Sequence, residues 1–329
     1  MRVAVVDIGS NSTRLLVAEI DPDTGSLREL ARDSRVTRLG EGVDANGSLS
    51  QAAIERVTNV LADYRAKIEQ HDCEANMAVL TSAVRDADNG ADFAERVRQE
   101  YRLDARVLSG DEEAQLTFLG AMSTRPDDDG SPSGQGALAD ADGDSDAPGS
   151  VPTVVIDIGG GSTEFVIGSG RTAGFHVSLH VGVVRMSERH IHTDPPEPHE
   201  LQQLAADVRE NFEDGLPPAE RNPVERAIAV AGTATSAASI DQELDPYDPE
   251  RVNGYALTLG TVEMLLARLA DMDEDGRRKV VGLHPDRAPT IVAGMIVLSE
   301  AMRAFGLDQV EVSEHDILYG GALRLAGVG

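Results

Sequence analysis

The chain has 329 residues, with 57 Asp and Glu against 29 Lys and Arg, a formal charge of −28, a single cysteine (Cys73) and no tryptophan. So acidic a balance argues against general nucleic-acid binding, which needs a basic face to neutralise phosphates, and one cysteine excludes an intrachain disulfide and suits a reducing cytoplasm. Arg2 is followed by only four apolar residues before Asp7, and the longest apolar stretch, Ile291 to Leu298, falls short of the ~20 residues of a bilayer span; no signal peptide, no membrane contact and a cytoplasmic location are expected.

The apolar runs over 2–8 and 13–20 predict two antiparallel strands joined through Gly9 to Ser12, so Ser10, Asn11 and Ser12 sit at a hairpin tip. They serve either as phosphate donors or as ordinary turn residues. Leu27 to Leu39 continues the sheet, with Arg35 and Arg38 as candidate anion contacts of low specificity. Ser50 is a plausible N-cap, and Ala53, Ile54, Val57, Val60, Leu61 and Tyr64 recur at helical spacing behind it, a scaffold helix. A strand over 75–80 leads to Thr81, Ser82 and Arg85. An arginine just past the C-terminal end of a strand lies where α/β proteins place ligands, and its planar fork can grip phosphate; the competing reading is an ion pair with Asp86 or Asp88. A helix over 88–100 and a strand over 105–108 follow. Ser109 and Gly110 then open a helix whose first turn carries Asp111, Glu112 and Glu113. Acids there complement the helix dipole, but three exceed what capping needs, and one can project into a cleft as a base.

Residues 125–152 are rich in Asp, Gly, Ser, Pro and Ala and predict a disordered acidic insertion. Its D-A-D-G-D-S-D piece is not a calcium loop, because Val151 stands where the terminal Glu is required. Beyond the next hairpin, 171–181 predicts further strands. His190 and His192 have no third ligand at metal spacing and read as exposed loop residues. A helix over 200–212 and a buried strand over 227–231 precede Gly232 and Thr233. These two open a helix over 234–240, so their N–H groups face an anion or nucleotide. Helices over 258–269, 289–305 and 315–325 and a strand over 310–312 complete the chain, with Met264, Met295 and Met302 as core filler.

The stretch V-V-I-D-I-G-G-G-S-T-E-F-V-I (154–167) is a strand, a turn and a second strand. Gly159, Gly160 and Gly161 let consecutive amides point into one concavity. Ser162 and Thr163 add hydroxyls, and Asp157 can hold Mg²⁺ that neutralises phosphoryl oxygens. The pattern has a precedent 150 positions earlier. Residues 5–13, V-V-D-I-G-S-N-S-T, match 155–163 at six of nine positions, which puts Asp7 in the place of Asp157. A duplicated Asp-led turn, each copy opening half of the chain, suggests two similar domains offering their turns to one cleft.

The paired turns resemble the phosphate-1 and phosphate-2 loops of the superfamily of sugar and acetate kinases, actin and heat-shock chaperone ATPases. More narrowly, five motifs in order resemble the exopolyphosphatase and guanosine pentaphosphate phosphatase family in its short form: D-I-G-S-N-S-T-R-L (7–15), T-S-A-V-R-D-A-D-N (81–89), S-G-D-E-E-A (109–114), D-I-G-G-G-S-T-E (157–164) and A-G-T-A-T (231–235). The resemblance implies an α/β protein of two actin-like, ribonuclease H-like domains, at 1–124 and 153–314, around an interdomain cleft. It also implies a last helix, about 315–329, that returns to the first domain. It implies that Glu113 positions the attacking water, with Glu112 its nearest competitor. Glu164 is then an active-site acid, and Arg14, at the corresponding place in the first turn, faces the phosphate path by the resemblance or the surface by the residue pattern. The segment R-A-P-T-I (287–291) departs from the family in having Pro289 where an Asp stands.

Together these lead to an expected activity: Mg²⁺-dependent release of terminal phosphate from inorganic polyphosphate. Asp7 and Asp157 would hold the metal; Ser10, Asn11, Ser12, Arg85, Gly159, Gly160, Gly161, Ser162, Thr163, Gly232 and Thr233 would line the phosphate path. Hydrolysis of guanosine pentaphosphate is the near alternative, and a superfamily kinase or a non-catalytic alarmone sensor the distant ones. Potassium activation and a homodimer follow only from the resemblance.

Overall fold

The computed structural model describes residues 1–123, 151–170 and 172–328. The expected insertion over 125–152 lies outside the described residues except for Val151 and Pro152. The first sheet is built from β1 (Arg2–Ile8), β2 (Ser12–Ile20), β3 (Leu27–Val36), β4 (Ala75–Leu80) and β5 (Ala105–Val107), in the order β3-β2-β1-β4-β5. β1, β2 and β3 are antiparallel neighbours, while β4 and β5 join in parallel. The second sheet comprises β6 (Thr153–Ile158), β7 (Thr163–Ser169), β8 (Thr172–Leu179), β9 (Arg226–Val230), β10 (Ala256–Thr258) and β11 (Gln309–Val312). Its order β8-β7-β6-β9-β11 repeats the first sheet strand for strand, with β10 added antiparallel at the edge. Two such mixed sheets with helices around them are the expected actin-like α/β architecture.

The central strands β1 and β6 are the most buried, as strands covered on both faces must be: apart from Arg2, every residue of either is buried. Their helices include α1 (Gln51–Gln70), α2 (Gly90–Tyr101), α3 (Gly110–Met122), α4 (Val183–His190), α5 (Pro198–Gly215), α6 (Ala231–Asp241), α7 (Leu259–Ala270), α8 (Ile291–Ala304) and α9 (Ile317–Leu325). Ser50 caps α1, accepting the Ala53 N–H at 3.2 Å, and the predicted apolar stripe of α1 faces the first core.

The connecting helices exchange sides. α3 lays Ala114, Phe118, Ala121 and Met122 on Val155 and Val166 of the second sheet. α9, at the other end of the chain, lays Leu318, Tyr319 and Ala322 on Val3, Val5 and Leu16 of the first. Two expectations need correction. Met264 is 57% exposed; it shares helical spacing with the core positions of α7 but falls on the outer face, whereas Met295 and Met302 are fully buried. His190 is not a loop residue: it ends α4 and is half-buried, its Nε2 2.7 Å from Asp207 Oδ2, while His192 is exposed as expected. Among the described residues no helix is long and apolar enough to cross a membrane.

Candidate active site

β1 and β6 each run through an aspartate into a tight turn, and the same bond closes both turns. Gly9 N–H donates to Ser12 O at 3.0 Å, and Gly159 N–H donates to Ser162 O at 2.9 Å. The turn carbonyls are held from outside. Gly40 N–H donates to Ser10 O, and Thr37 and Arg38 N–H donate to Asn11 O. In the second copy the first amides of α4 do this work: Val183 N–H donates to Gly159 O, and Val184 and Arg185 N–H donate to Gly160 O. A trans peptide points its N–H opposite to its C=O, so the amides of Asn11, Ser12, Gly160 and Gly161 turn the other way, the arrangement of an anion nest. The two turns also touch. A Cβ on Gly160 would lie 2.9 Å from Asn11 N, so only glycine permits this approach.

Asp7, Ser10, Asn11 and Ser12 from the first turn and Asp157, Gly159, Gly160 and Ser162 from the second line one cavity of about 70 Å³. Glu113, Glu164, Gly232 and Thr233 complete it, together with Thr81 and Ser82. Three expected site residues stand elsewhere. Gly161 lies at the seam, its Cβ position 2.8 Å from Ser82 Oγ and 3.0 Å from Ser10 Oγ. Thr163 is fully buried and its hydroxyl donates to Val181 O, just as its counterpart Thr13 bonds Thr37 at 2.9 Å; both hold their turns from behind. Arg85 does not line the cavity. Its Nη1 donates to Glu113 Oε2 and to the Leu108 carbonyl, each at 3.0 Å, rather than pairing with Asp86 or Asp88. Arg35 pairs with Asp33, and Arg38 reaches the Asp286 carbonyl, both away from this cavity.

The acids divide cleanly. Glu112 folds back to accept the Ser109 N–H at 2.9 Å while Ser109 Oγ accepts the Glu112 N–H, a reciprocal capping box. Glu113, one residue on, is 7% exposed and faces the cavity. Burial pushes its carboxyl well above the usual carboxylate range, Glu164 adds to this, and Arg85 opposes it. Glu164 accepts the Ser178 hydroxyl at 2.7 Å; burial raises its pKa against that bond. Asp157 is raised well above its ordinary value by burial and by Glu164. Asp7 is raised by burial, against the guanidinium of Arg14.

Two features were missed by the sequence reading, and the setting of a third, Arg14, was left open between the phosphate path and the surface. Arg14 is no surface residue: opposite Asp7 in the ladder, it donates to Asp7 Oδ2 through Nε and Nη2 and to Asp316 through Nη1. Arg287 lines the cavity over Gly232, where a Cβ would meet its Nη1 at 1.5 Å. Among the described residues its guanidinium has no carboxylate partner within salt-bridge distance, and burial and Arg14 push its pKa down. Ala231, the hinge into α6, takes φ 64°, a strained left-handed value for a residue with a Cβ. It also lines the cavity. A second cavity of about 330 Å³, lined by Tyr247, Thr235 and Ser236, adjoins the first through Arg14, Ala231, Gly232 and Arg287.

These residues suit a divalent metal. Asp7 Oδ1 is buried with no hydrogen-bond partner, Asp157 stands in the same cavity, and both offer the hard oxygens that Mg²⁺ prefers. Among the described residues no group of three or more His, Cys, Asp or Glu forms a ready cage. An ion here would complete its shell with water and phosphate oxygens, the habit of Mg²⁺.

Duplicated sheets, paired anion turns and a buried carboxylate beside them define a phosphoryl-handling enzyme of the actin-like class. The model of the Ppx/GppA phosphatase family matches residues 16–131 and 145–324, and the chain belongs to that family. Family members generally use a divalent metal. Exopolyphosphatase 2 of Mycobacterium tuberculosis is 35% identical over 337 aligned positions, covering 99% of each chain. The Ppx/GppA enzyme of Aquifex aeolicus superposes with a TM-score of 0.77 at 29% identity, covering 98% of this chain and 99% of that one. A solved exopolyphosphatase-like protein superposes with a TM-score of 0.86 at 29% identity over 99% of both chains.

Proposed function

We propose that the protein is an exopolyphosphatase that hydrolyses the terminal phosphoanhydride of inorganic polyphosphate. The observation that carries this is the meeting of two amide-lined turns, Asp7, Asp157 and Glu113 on one small cavity. The turns hold consecutive phosphates through the amides of Asn11, Ser12 and Gly160, helped by Ser10 and Ser162. Arg287, with no carboxylate to neutralise it, meets the charge of the terminal groups. Gly232 and Thr233 close the wall behind them.

Asp7 through Oδ1, with Asp157, would hold Mg²⁺, which offsets phosphoryl charge and polarises the bond to be broken. Glu113 orients a water for in-line attack and takes its proton at Oε1 or Oε2. Arg85, on Oε2, keeps enough of this buried carboxyl ionised to act as a base. Glu164, fixed by Ser178, faces the same water and sets how strongly Glu113 holds its proton. Catalysis of this kind is mostly placement and electrostatics.

The second reading is hydrolysis of guanosine pentaphosphate. The 330 Å³ cavity beside the phosphate site favours it, since Tyr247 and the hydroxyls of Thr235 and Ser236 could house a nucleoside. The deciding assay measures phosphate release from long polyphosphate and from guanosine pentaphosphate, each with and without Mg²⁺ and with K⁺ varied. Release from polyphosphate with no acceptor present excludes a kinase and a non-catalytic sensor. Release from the pentaphosphate alone would overturn the polyphosphate reading.

A further inference from the structure

Arg14 connects the catalytic hairpin to the far end of the chain. Its Nε and Nη2 donate to Asp7 Oδ2 at 2.9 and 2.6 Å, and its Nη1 donates to Asp316 Oδ2. Asp316 is 2% exposed and caps α9, its other oxygen accepting the Leu318 N–H at 3.0 Å. Both of its oxygens are therefore committed. It borders the larger cavity and not the phosphate cavity. The corner that carries it is rigid, because α3 and α9 cross with their backbones in contact. A Cβ on Gly120 would lie 1.9 Å from Asp316 O, and one on Gly320 would lie 1.8 Å from Leu116 O. α3 is the helix whose first turn carries Glu113.

We propose that Asp316 is a positioning residue for hydrolysis: it pins Arg14 against Asp7, so that Asp7 Oδ1 stays turned to the cavity and the guanidinium stays off the substrate. The inference rests on the hydrolase reading of the cleft. An arginine with a single carboxylate partner can rotate onto a phosphate, which matches its fork equally well. With carboxylates at two edges of its plane, that rotation breaks a buried ion pair, which is strongly unfavourable. A freed Arg14 would grip the ground-state substrate as tightly as the transition state. Such uniform binding lowers KM without raising kcat. Loss of the grip on Asp7 would in addition lower kcat. The glycine crossing extends the effect, since the backbone of Asp316 abuts the helix that presents Glu113.

The test is Asp316→Asn, which keeps the shape and the cap acceptor but removes the charge. Asp316→Ser, which keeps only a capping oxygen, serves as the second variant. For phosphate release from tripolyphosphate, kcat should fall by about 10–100-fold while KM falls rather than rises. In substrate-free protein, Mn²⁺ affinity read by electron paramagnetic resonance should weaken by about tenfold. Arg14→Gln combined with Asp316→Asn should be no worse than Arg14→Gln alone, because Asp316 acts through Arg14. Parental kcat, KM and Mn²⁺ affinity in both Asp316 variants, or additive losses in the double variant, would overturn the proposal. If the parental protein releases no phosphate from tripolyphosphate, the hydrolase reading fails, and the Mn²⁺ titration alone then decides the positioning role.

Discussion

Arg85 Nη1 lies 3.0 Å from Glu113 Oε2, and the same nitrogen reaches the Leu108 carbonyl at 3.0 Å. The arginine beyond β4 is thus committed to a carboxylate, and in the proposed reading the phosphates are left to backbone amides and Arg287. A buried base needs such a partner, because burial by itself favours the protonated form. Glu113→Gln keeps the shape and the Arg85 contact but cannot accept a proton. Its kcat for phosphate release should fall by ~10²–10⁴-fold, as for loss of a general base, with KM nearly unchanged. A variant that hydrolyses polyphosphate at the parental rate would show that another group activates the water.

Removing the partner should move the pH profile. Arg85 lowers a Glu113 pKa that burial and Glu164 raise, so Arg85→Met lets it climb further. The ionised base is then present only at higher pH, and the acid limb of the kcat profile should shift upward, with activity partly recovered in alkaline buffer. Arg85→Lys should restore part of the shift. A uniform loss at every pH would instead make Arg85 a substrate contact.

Gly232 has no room for a methyl group, because its Cβ position falls 1.5 Å from Arg287 Nη1. Gly232→Ala should therefore push the guanidinium off the phosphate path. We expect KM for polyphosphate to rise about tenfold, or roughly 1.4 kcal/mol, with a smaller change in kcat. Arg287→Ala should reproduce the effect and add little to it in combination. Independent, additive losses would separate the two residues.

The duplicated motif makes much of this site legible in the sequence. Asp, Gly, Ser and Thr recur at a fixed offset, and an offset of that kind means equivalent places in equivalent sheets; the ladder bears this out, with Arg14 opposite Asp7 and Glu164 opposite Asp157. The preference for Glu113 over Glu112 came from the family resemblance, and the structure adds that Glu112 closes a capping box with Ser109. Arg287 was not legible. It sits in a three-residue turn, Pro285–Arg287, and meets Gly232 only through tertiary packing. Asp316 is likewise 302 positions from Arg14, and no local pattern announces such a pair. Met264 shows the limit of periodicity, which gives a helix its stripe spacing but does not say which face is covered.

The site's buried acids should also weaken the fold. Glu113, Asp157 and Glu164 all have pKa values raised by burial in the native state. Between the ordinary carboxylate range and those raised values, the native state binds more protons than the unfolded chain. Stability is therefore full below the ordinary range and declines as pH rises through the window. Glu164→Gln keeps an acceptor for the Ser178 hydroxyl and removes one of the three charges. At neutral pH it should stabilise the metal-free protein by about 1–2 kcal/mol, seen as a higher Tm, while lowering phosphate release. Towards pH 5, nearer the ordinary carboxylate range, the raised native pKa leaves less charge to remove and the gain should shrink. Thermal melts of both proteins at pH 5 and pH 8 without metal measure this directly. A Tm gain that is absent or equal at the two pH values would mean that burial does not raise the pKa of Glu164. The negative charge shared by these acids would then have to be relieved by some other group in the cleft.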